Sequence, residues 1–370
     1  MAKHLESLYV KNFRCLDELT IDRLGDVNLL VGGNNSGKTT VLEALRVWCF
    51  RGDEAVFLLS ERDEYHSEPR KDEDFLELVE HFFTDRRFND HDDNRCIAIG
   101  ETEDAKNLLK ISDCYYYLSS TSHSNEGEES FTFKRHIVKK SEKKEIEKSQ
   151  KLNHGVRASF QDDAVFLPMP PARLGYVYSK FIPTNTQDRF EFDHMLGHQE
   201  DEGNLTYIID AMKMIYPPIE DVRSKTIALK NSSPEQKETI ITVKTHGDPR
   251  YFPLKSMGEG VSRILQIALH AYGCKDGILL IDELENGLHY SIQEKVWEWL
   301  FELAKQYNMQ IFATTHSKDV IEHFNNVAQA REEEGILISL GRSRSGKLAS
   351  HTYSEESLDI HVTNGMEVRG

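Results

Sequence analysis

The chain has 370 residues, with 62 acidic and 45 basic side chains and a formal net charge of −17 at pH 7. This length is enough for one large α/β domain or two interwoven lobes, and the acidic balance disfavours non-specific binding of nucleic acid by the whole surface. The five cysteines include no Cys-x-x-Cys pair, which argues against a disulfide framework and a thiolate zinc site. Since the sequence has neither a signal-peptide pattern nor an apolar run of about 18 residues, we expect a cytoplasmic protein with no membrane partner.

Alternation of apolar and polar residues predicts strands between residues 5 and 31. Glycines follow the apolar run 27–31, and apolar residues then recur at helical spacing from Val41 to Phe50, so a strand, a loop and a helix are expected in succession. The segment 51–163 is polar and irregular. It contains only strand-like islands, which are Cys96–Gly100, Leu109–Leu118 and Phe131–Val138.

Further along the chain, helix-like and strand-like patterns alternate, as expected of a parallel sheet covered by helices. The predicted elements are a helix at Val261–Tyr272, a strand at Ile278–Ile281, a helix at Ile292–Lys305, a strand at Met309–Thr314 and a helix at Asp319–Phe324. A hairpin-like pair follows, at Gly335–Leu340 and Leu348–Tyr353.

The loop between the first apolar strand and its helix matches the phosphate-binding pattern G-x-x-x-x-G-K-[ST] at every fixed position. Its glycines allow the backbone N–H groups to wrap phosphates, Lys38 supplies a positive charge, and the Thr39 hydroxyl suits Mg²⁺. The alternative is an ordinary glycine-rich turn with no role in phosphate binding. We expect ATP to contact Gly32, Asn34, Asn35, Ser36, Gly37, Lys38, Thr39 and Thr40.

A second glycine-rich segment, Gly341–Lys347, imitates this pattern, but Leu348 replaces the required hydroxyl residue. Because it lies between two strand-like runs, we interpret it as a hairpin loop. The segment Lys134–Lys151 carries eight basic and three acidic residues, a net charge of +5. It could bind nucleic acid or an acidic partner, or it could be a solvated hairpin or mobile loop.

Two adjacent carboxylates, Asp282 and Glu283, end the buried-strand pattern 278–281, where parallel-sheet enzymes hold ligands. Because successive residues point to opposite faces, Asp282 can join Thr39 at Mg²⁺ while Glu283 polarises a water molecule. A simple surface loop is the alternative.

Two further motifs carry groups suited to an anion. Ser256-Met257-Gly258-Glu259-Gly260 opens the predicted helix, whose first N–H groups and dipole attract negative charge. His316 follows the strand 309–314, within plausible reach of a γ-phosphate. Taken alone, the first could be a helix cap and the second a structural histidine.

The order of these motifs resembles that of the ABC-type ATPase heads of SMC, RecF and OLD-like proteins. Four segments are similar to the OLD-like AAA ATPase branch in particular: Tyr9–Cys15, Ile281–His289, Ala313–Ser317 and the terminal Met366–Arg369. The resemblance implies an α/β fold, a single ABC-type ATPase head with a mixed sheet and a P-loop core. It divides the chain into a nucleotide-binding core from 1–55 and 236–335, an inserted lobe from 56–235, and a hairpin and tail from 336–370.

By this resemblance, two heads pair head-to-tail around ATP, so that each nucleotide is held by one P-loop and by Ser256 and Gly258 of the second copy. The segment Glu285–His289 then corresponds to the D-loop at the interface. Glu283 acts as general base, and His316 contacts the γ-phosphate. The resemblance assigns no residue to the Q-loop.

Long OLD proteins carry a TOPRIM nuclease domain after the head, but His316 is followed by only 54 residues here, the difference between positions 316 and 370. We therefore expect no intrinsic nuclease, and a regulatory or scaffold ATPase of bacterial antiphage defence that acts on a separate effector such as a TOPRIM-type nuclease. One alternative is a RecF-like DNA-repair clamp, which the acidic charge disfavours. Another is an ABC-transporter engine, whose signature is usually closer to Leu-Ser-Gly-Gly-Gln.

Overall fold

A computed structural model describes residues 3–49, 84, 97–101, 109–111, 115–119, 132–136, 177–184, 195–197, 199, 203, 205–228, 237–331, 334–343 and 346–353. The lysine-rich segment beyond residue 136 and the motif Met366–Arg369 lie outside these residues.

Helices and strands alternate from residue 259 to residue 342, as the sequence patterns predict, whereas strands predominate in the other described residues. The strands are β1 (Leu8–Phe13), β2 (Leu16–Ile21), β3 (Val27–Gly32), β4 (Ile97–Gly100), β5 (Leu109–Ile111), β6 (Tyr115–Ser119), β7 (Thr132–His136), β8 (Ser179–Ile182), β9 (Ile219–Ala228), β10 (Lys237–Thr245), β11 (Tyr251–Pro253), β12 (Ile278–Ile281), β13 (Gln310–Thr315), β14 (Gly335–Arg342) and β15 (Leu348–Tyr353). The helices are α1 (Lys38–Cys49), α2 (Leu205–Lys213), α3 (Glu259–Tyr272), α4 (Tyr290–Tyr307) and α5 (Lys318–Ala328), with a 3₁₀ helix at Leu254–Met257.

A six-stranded sheet with the order β15-β14-β3-β13-β12-β8 forms the centre of the fold. Its neighbouring strands are parallel, except that β15 is antiparallel to β14. All residues of β3, β12 and β13 are buried, as expected for strands covered on both faces. The α/β class with a mixed sheet is thus confirmed.

The two faces of this sheet border separate hydrophobic cores. Leu29, Leu279 and Ile311 belong to the core that includes α3, α4 and α5. Leu30 and Leu280, one position along their strands, belong to the core that includes α1, β1 and β2. This alternation follows from the two-residue period of a strand.

Three antiparallel sheets accompany the central one in the described residues, with the orders β2-β1-β4-β5, β11-β10-β9 and β6-β7. Strands β4, β5 and β8 lie within the range 56–235 for which the resemblance implies an inserted lobe. Two of them nevertheless pair with strands of the core, β4 with β1 and β8 with β12, while β5 pairs with β4. The division of the chain into core and lobe stays a prediction, but part of that range contributes to the sheet that holds the P-loop.

The predicted elements differ from the observed ones mainly at their ends. Helix α5 begins at Lys318 because Ser317 caps it, its hydroxyl accepting a hydrogen bond from the N–H of Val320 at 3.5 Å. The island Leu109–Leu118 consists of two strands, β5 and β6. The second glycine-rich segment is a hairpin loop as predicted, since β14 and β15 are antiparallel neighbours. No helix in the described ranges is long and apolar enough to cross a membrane.

Gln310, buried at the start of β13, ties the N-terminal region to the central sheet. Its side-chain amide donates hydrogen bonds to the carbonyls of Leu5 and Gly25, both at 2.9 Å, and its side-chain oxygen accepts one from the N–H of Leu5 at 3.2 Å. These backbone groups lie 285 and 305 positions earlier in the chain. The Gln310 side chain is therefore one of the links between the entry to β3 and the start of β13, beside that of Asn28.

We predict that Gln310→Met lowers the free energy of unfolding by about 2–4 kcal/mol, because it leaves buried backbone groups without partners at nearly constant volume. Urea denaturation measures the change as a lower midpoint with an unchanged slope. Gln306→Met, at an exposed position of α4, is the matched control and should leave the midpoint unchanged. Equal midpoints for the two variants would contradict the structural role of Gln310.

Candidate nucleotide-binding site

The parallel register of three strands brings the predicted motifs to one edge of the central sheet. Val31 of β3 is paired with Thr315 of β13, so the P-loop and His316 begin side by side. Ile281 of β12 is paired with Ala313 of β13, so Asp282 lies beside Thr314. This edge, at the carboxyl ends of the strands, is where ligands bind in open α/β sheets.

The P-loop turns sharply between β3 and α1. A Cβ atom at Gly32 would lie 2.4 Å from the carbonyl oxygen of Leu340 and 2.5 Å from the Ser36 hydroxyl, so only glycine fits there. Asn35 and Gly37 have left-handed backbone conformations, with φ values of 60° and 88°. The loop therefore presents its backbone to the exposed side, at Gly33, Asn34 and Asn35.

Lys38, the first residue of α1, bends back over the loop. Its Nζ donates hydrogen bonds to the carbonyls of Gly32 at 3.0 Å and Gly33 at 2.9 Å. It also lies 3.4 Å from Nδ1 of His316. Burial lowers the pKa of the Lys38 ammonium, while nearby carboxylates, first that of Asp282, oppose the shift. A positive charge is thus held at the mouth of the loop.

Asp282 accepts hydrogen bonds from threonine hydroxyls of three different segments. Thr39 Oγ1 lies 3.1 Å from both carboxylate oxygens, Thr184 Oγ1 lies 3.2 Å from Oδ2, and Thr314 Oγ1 lies 2.7 Å from Oδ1. Carboxylate and hydroxyl oxygens are the ligand type that Mg²⁺ requires. Nearby, the buried Ser36 hydroxyl has no hydrogen-bond partner among the described residues. The loop and Asp282 fit a phosphate ligand with its magnesium ion.

Glu283 has a φ of 48°, a left-handed conformation that is uncommon for a non-glycine residue. Its N–H donates a hydrogen bond to Thr314 Oγ1 at 2.8 Å. Its carboxylate Oε1 lies 3.4 Å from Nε2 of His316, and its side chain is 37% exposed, so water can reach it. Such backbone strain, of the order of 1–3 kcal/mol, is commonly found at functional sites.

His316 is fixed by its own backbone as well as by its ring. Its N–H donates a hydrogen bond to Oε1 of Glu285 at 2.7 Å. Its two ring nitrogens face Lys38 and Glu283. The sequence-predicted residues Lys38, Thr39, Asp282, Glu283 and His316 are therefore brought together in one cluster.

Arg263, on α3, is a residue of this region that the sequence patterns did not single out. Its guanidinium donates hydrogen bonds to the carbonyls of Pro183 at 2.7 Å, Asp282 at 2.7 Å and Glu283 at 3.2 Å. Burial lowers its pKa to about 10, opposed first by the charge of Asp282. The only signal for it in the sequence was a charged residue within a largely apolar helix pattern.

Ser256 and Gly258 make no hydrogen bond to the cluster of site residues among the residues that the structure describes. Ser256 lies in the 3₁₀ helix and donates its hydroxyl proton to the carbonyl of Pro253 at 2.7 Å. Gly258 has a φ of 93°, and a Cβ there would meet no atom within 4 Å. Both residues are exposed, and in the described part of the chain neither is hydrogen-bonded to the P-loop or to Asp282.

A family model described as "AAA ATPase domain" matches residues 4–163 and 173–321. The chain belongs to the AAA ATPase domain family. Membership implies ATP binding, usually together with Mg²⁺, and supports ATPase activity in general. It agrees with the P-loop geometry, in which Lys38 and the loop backbone face the same side of the sheet as Asp282.

Relatives of this AAA ATPase domain include an uncharacterised protein of Methanocaldococcus jannaschii, 35% identical over 114 residues, which cover 31% of this chain and all of that protein. A Helicobacter pylori protein named "ATP/GTP phosphatase" is 22% identical over 384 aligned positions, covering 97% of this chain and 98% of that one. A solved SMC head domain from Thermotoga maritima is 14% identical with a TM-score of 0.43, covering 95% of this chain and 99% of that one.

We predict that Arg263→Met lowers the free energy of unfolding by about 2–4 kcal/mol, since the carbonyls of Pro183 and Asp282 lose their side-chain donor and that of Glu283 keeps only the N–H of Asn286. Arg263→Lys should also lower ATP turnover about tenfold, because a single ammonium cannot span the carbonyls that the planar guanidinium reaches. Urea denaturation and steady-state ATPase assays measure the two effects. Arg250→Met, at an exposed arginine between β10 and β11, is the control. Wild-type turnover in Arg263→Lys would contradict this role.

Proposed function

We propose that the chain hydrolyses ATP at the cluster formed by Lys38, Thr39, Asp282, Glu283 and His316. The observation that carries this proposal is the convergence of a P-loop lysine, a carboxylate beside the loop threonine and a second, exposed carboxylate at one sheet edge. The name of the Helicobacter pylori relative, "ATP/GTP phosphatase", is consistent with turnover of a nucleoside triphosphate.

The proposed roles follow from the positions of these groups. Thr39 and Asp282 would hold Mg²⁺, which would supply positive charge to the phosphate groups. Lys38 leaves the loop carbonyls to contact phosphate oxygens. Glu283, which water can reach, orients the attacking water molecule and accepts its proton. His316 lies between Lys38 and Glu283 and donates a hydrogen bond to the γ-phosphate.

We further propose that two copies share each nucleotide. Ser256 and Gly258 stand exposed at the start of α3, a 14-residue helix whose first N–H groups and dipole suit an anion. Because they are not bonded to their own P-loop, they are free to contact the γ-phosphate bound by a second copy. Gly287 packs against Glu259, with a notional Cβ at 3.2 Å, so the D-loop segment Glu285–His289 borders the same surface.

The biological role that we propose is that of an OLD-like ATPase whose ATP-dependent dimer regulates or scaffolds a separate effector in bacterial antiphage defence. This role rests on the similarity of Tyr9–Cys15, Ile281–His289 and Ala313–Ser317 to the OLD-like branch. A TOPRIM-type nuclease is the effector class that the resemblance suggests. The proposed setting is the cytoplasm.

We predict that Glu283→Gln retains ATP binding but loses turnover by about a hundredfold or more, because general-base catalysis is removed while the phosphate contacts remain. The variant should accumulate as an ATP-bound dimer, measured by size-exclusion chromatography with light scattering in Mg-ATP. Glu298→Gln, an exposed carboxylate of α4, is the matched control and should behave as the wild type.

Wild-type turnover in Glu283→Gln would remove Glu283 from its proposed role. Loss of turnover with a strictly monomeric variant would contradict the shared nucleotide but not the hydrolytic site. The purified wild-type protein should leave DNA and RNA intact. Metal-dependent cleavage of either by this chain alone would contradict the proposal that a separate protein is the effector.

A further inference from the structure

We propose that Thr314 is a positioning residue of the ATPase site, which sets the orientation of Asp282 and the backbone conformation of Glu283 through a single hydroxyl group. This inference rests on the proposed function, because it concerns the residues to which that function assigns metal binding and base catalysis. Thr314 lies near the end of β13 and is fully buried.

The Thr314 hydroxyl joins the two catalytic positions directly. It donates its proton to Oδ1 of Asp282 at 2.7 Å and accepts the N–H of Glu283 at 2.8 Å. The carbonyl of Thr314 also accepts the N–H of Leu284, at 3.0 Å. The chain that follows β12 is therefore fixed at three successive residues by one residue of the neighbouring strand.

The Thr314 hydroxyl is a donor to one of its partners and an acceptor from the other. A backbone N–H can only donate and an ionised carboxylate can only accept, so the hydroxyl must accept from Glu283 and donate to Asp282. A hydrogen bond to an ionised group is stronger than one between neutral groups. Among the three threonine hydroxyls at Asp282, that of Thr314 makes the shortest contact.

The hydrogen bond from the N–H of Glu283 to the Thr314 hydroxyl helps to hold the left-handed backbone conformation of Glu283. The φ of 48° turns the Glu283 side chain away from the line of β12, toward His316. A left-handed non-glycine residue persists only where its surroundings hold it. The Thr314 hydroxyl is one such restraint and the guanidinium of Arg263, on the Glu283 carbonyl, is another. Of the two, only Thr314 also contacts the carboxylate of Asp282.

A buried threonine in a strand interior often has only a packing role, for which valine is an equal or better strand residue. The two roles can be separated because Thr314→Val keeps the shape and removes the hydroxyl, whereas Thr314→Ser removes the methyl and keeps the hydroxyl. Thr242→Val is the matched control. Thr242 is also buried in a strand, but its hydroxyl contacts the carbonyl of Arg223 in the sheet β11-β10-β9.

The first measurement uses the nucleotide-free protein and follows amide hydrogen exchange by mass spectrometry over residues 279–288. We expect Thr314→Val to speed exchange in this segment by about tenfold, because the Glu283 N–H loses its acceptor and its neighbours lose a restraint. Thr314→Ser and Thr242→Val should exchange as the wild type does there.

The second measurement is steady-state ATP hydrolysis with Mg²⁺. We expect kcat of Thr314→Val to fall about ten- to hundredfold, the range for loss of a hydrogen bond to a charged group. Binding of ATP in EDTA should change less than about twofold, since the P-loop contacts remain. Thr314→Ser should recover kcat to within about threefold of wild type. On an Asp282→Asn background, adding Thr314→Val should lower kcat less than about threefold further, because the two residues act together.

Wild-type exchange and wild-type kcat in Thr314→Val would overturn the inference, and so would equal losses in Thr314→Val and Thr314→Ser, which would indicate packing alone. If Thr314→Val does not fold, Thr314→Cys replaces it, because a thiol of similar size is a weak hydrogen-bonding group. Unaltered Mg²⁺-dependent turnover in Asp282→Asn would instead contradict the proposed function, while hydrogen exchange still tests Thr314 in the nucleotide-free protein.

Discussion

The parallel pairing of β12, β13 and β3 is the constraint on which the rest of the site depends. The pair Val31–Thr315 places the P-loop beside His316, and the pair Ile281–Ala313 places Asp282 beside Thr314. A shift of one residue in either pairing would turn these side chains to the opposite face of the sheet. Burial on both faces opposes such a shift, because every residue of the three strands is enclosed.

Backbone carbonyls hold the two cations at this edge, and threonine hydroxyls hold the carboxylate of Asp282. Lys38 donates to loop carbonyls, and Arg263 donates to the carbonyls of Asp282 and Glu283. Burial lowers the pKa of both cations, whereas the Glu283 side chain remains 37% exposed. Polar groups fixed in advance act on a developing charge without having to reorient as water does.

The sequence predicted those parts of the site that depend on short contiguous patterns. The P-loop and the carboxylate pair Asp282-Glu283 could be found because a strand, a loop and a fixed residue spacing determine them locally. Thr184 could not be found, since it reaches Asp282 only through the pairing of β8 with β12, and β8 has no strong apolar pattern of its own. The sequence pattern shows Thr314 only as the last residue of a predicted strand, because the local pattern does not reveal which strand lies beside it in the sheet.

The central claim is that one nucleotide is shared between the P-loop of one copy and Ser256 of another, and mixing two inactive variants tests it most directly. Lys38→Ala removes the positive charge of the P-loop but leaves Ser256 and Gly258 able to contact a second copy. Ser256→Arg blocks the contact at Ser256 but leaves the P-loop unchanged. Neither variant alone should dimerise in Mg-ATP. An equal mixture should form heterodimers with one complete site of two, recovering up to about half of wild-type turnover if the sites act independently. A mixture that yields neither heterodimer nor turnover would contradict the account.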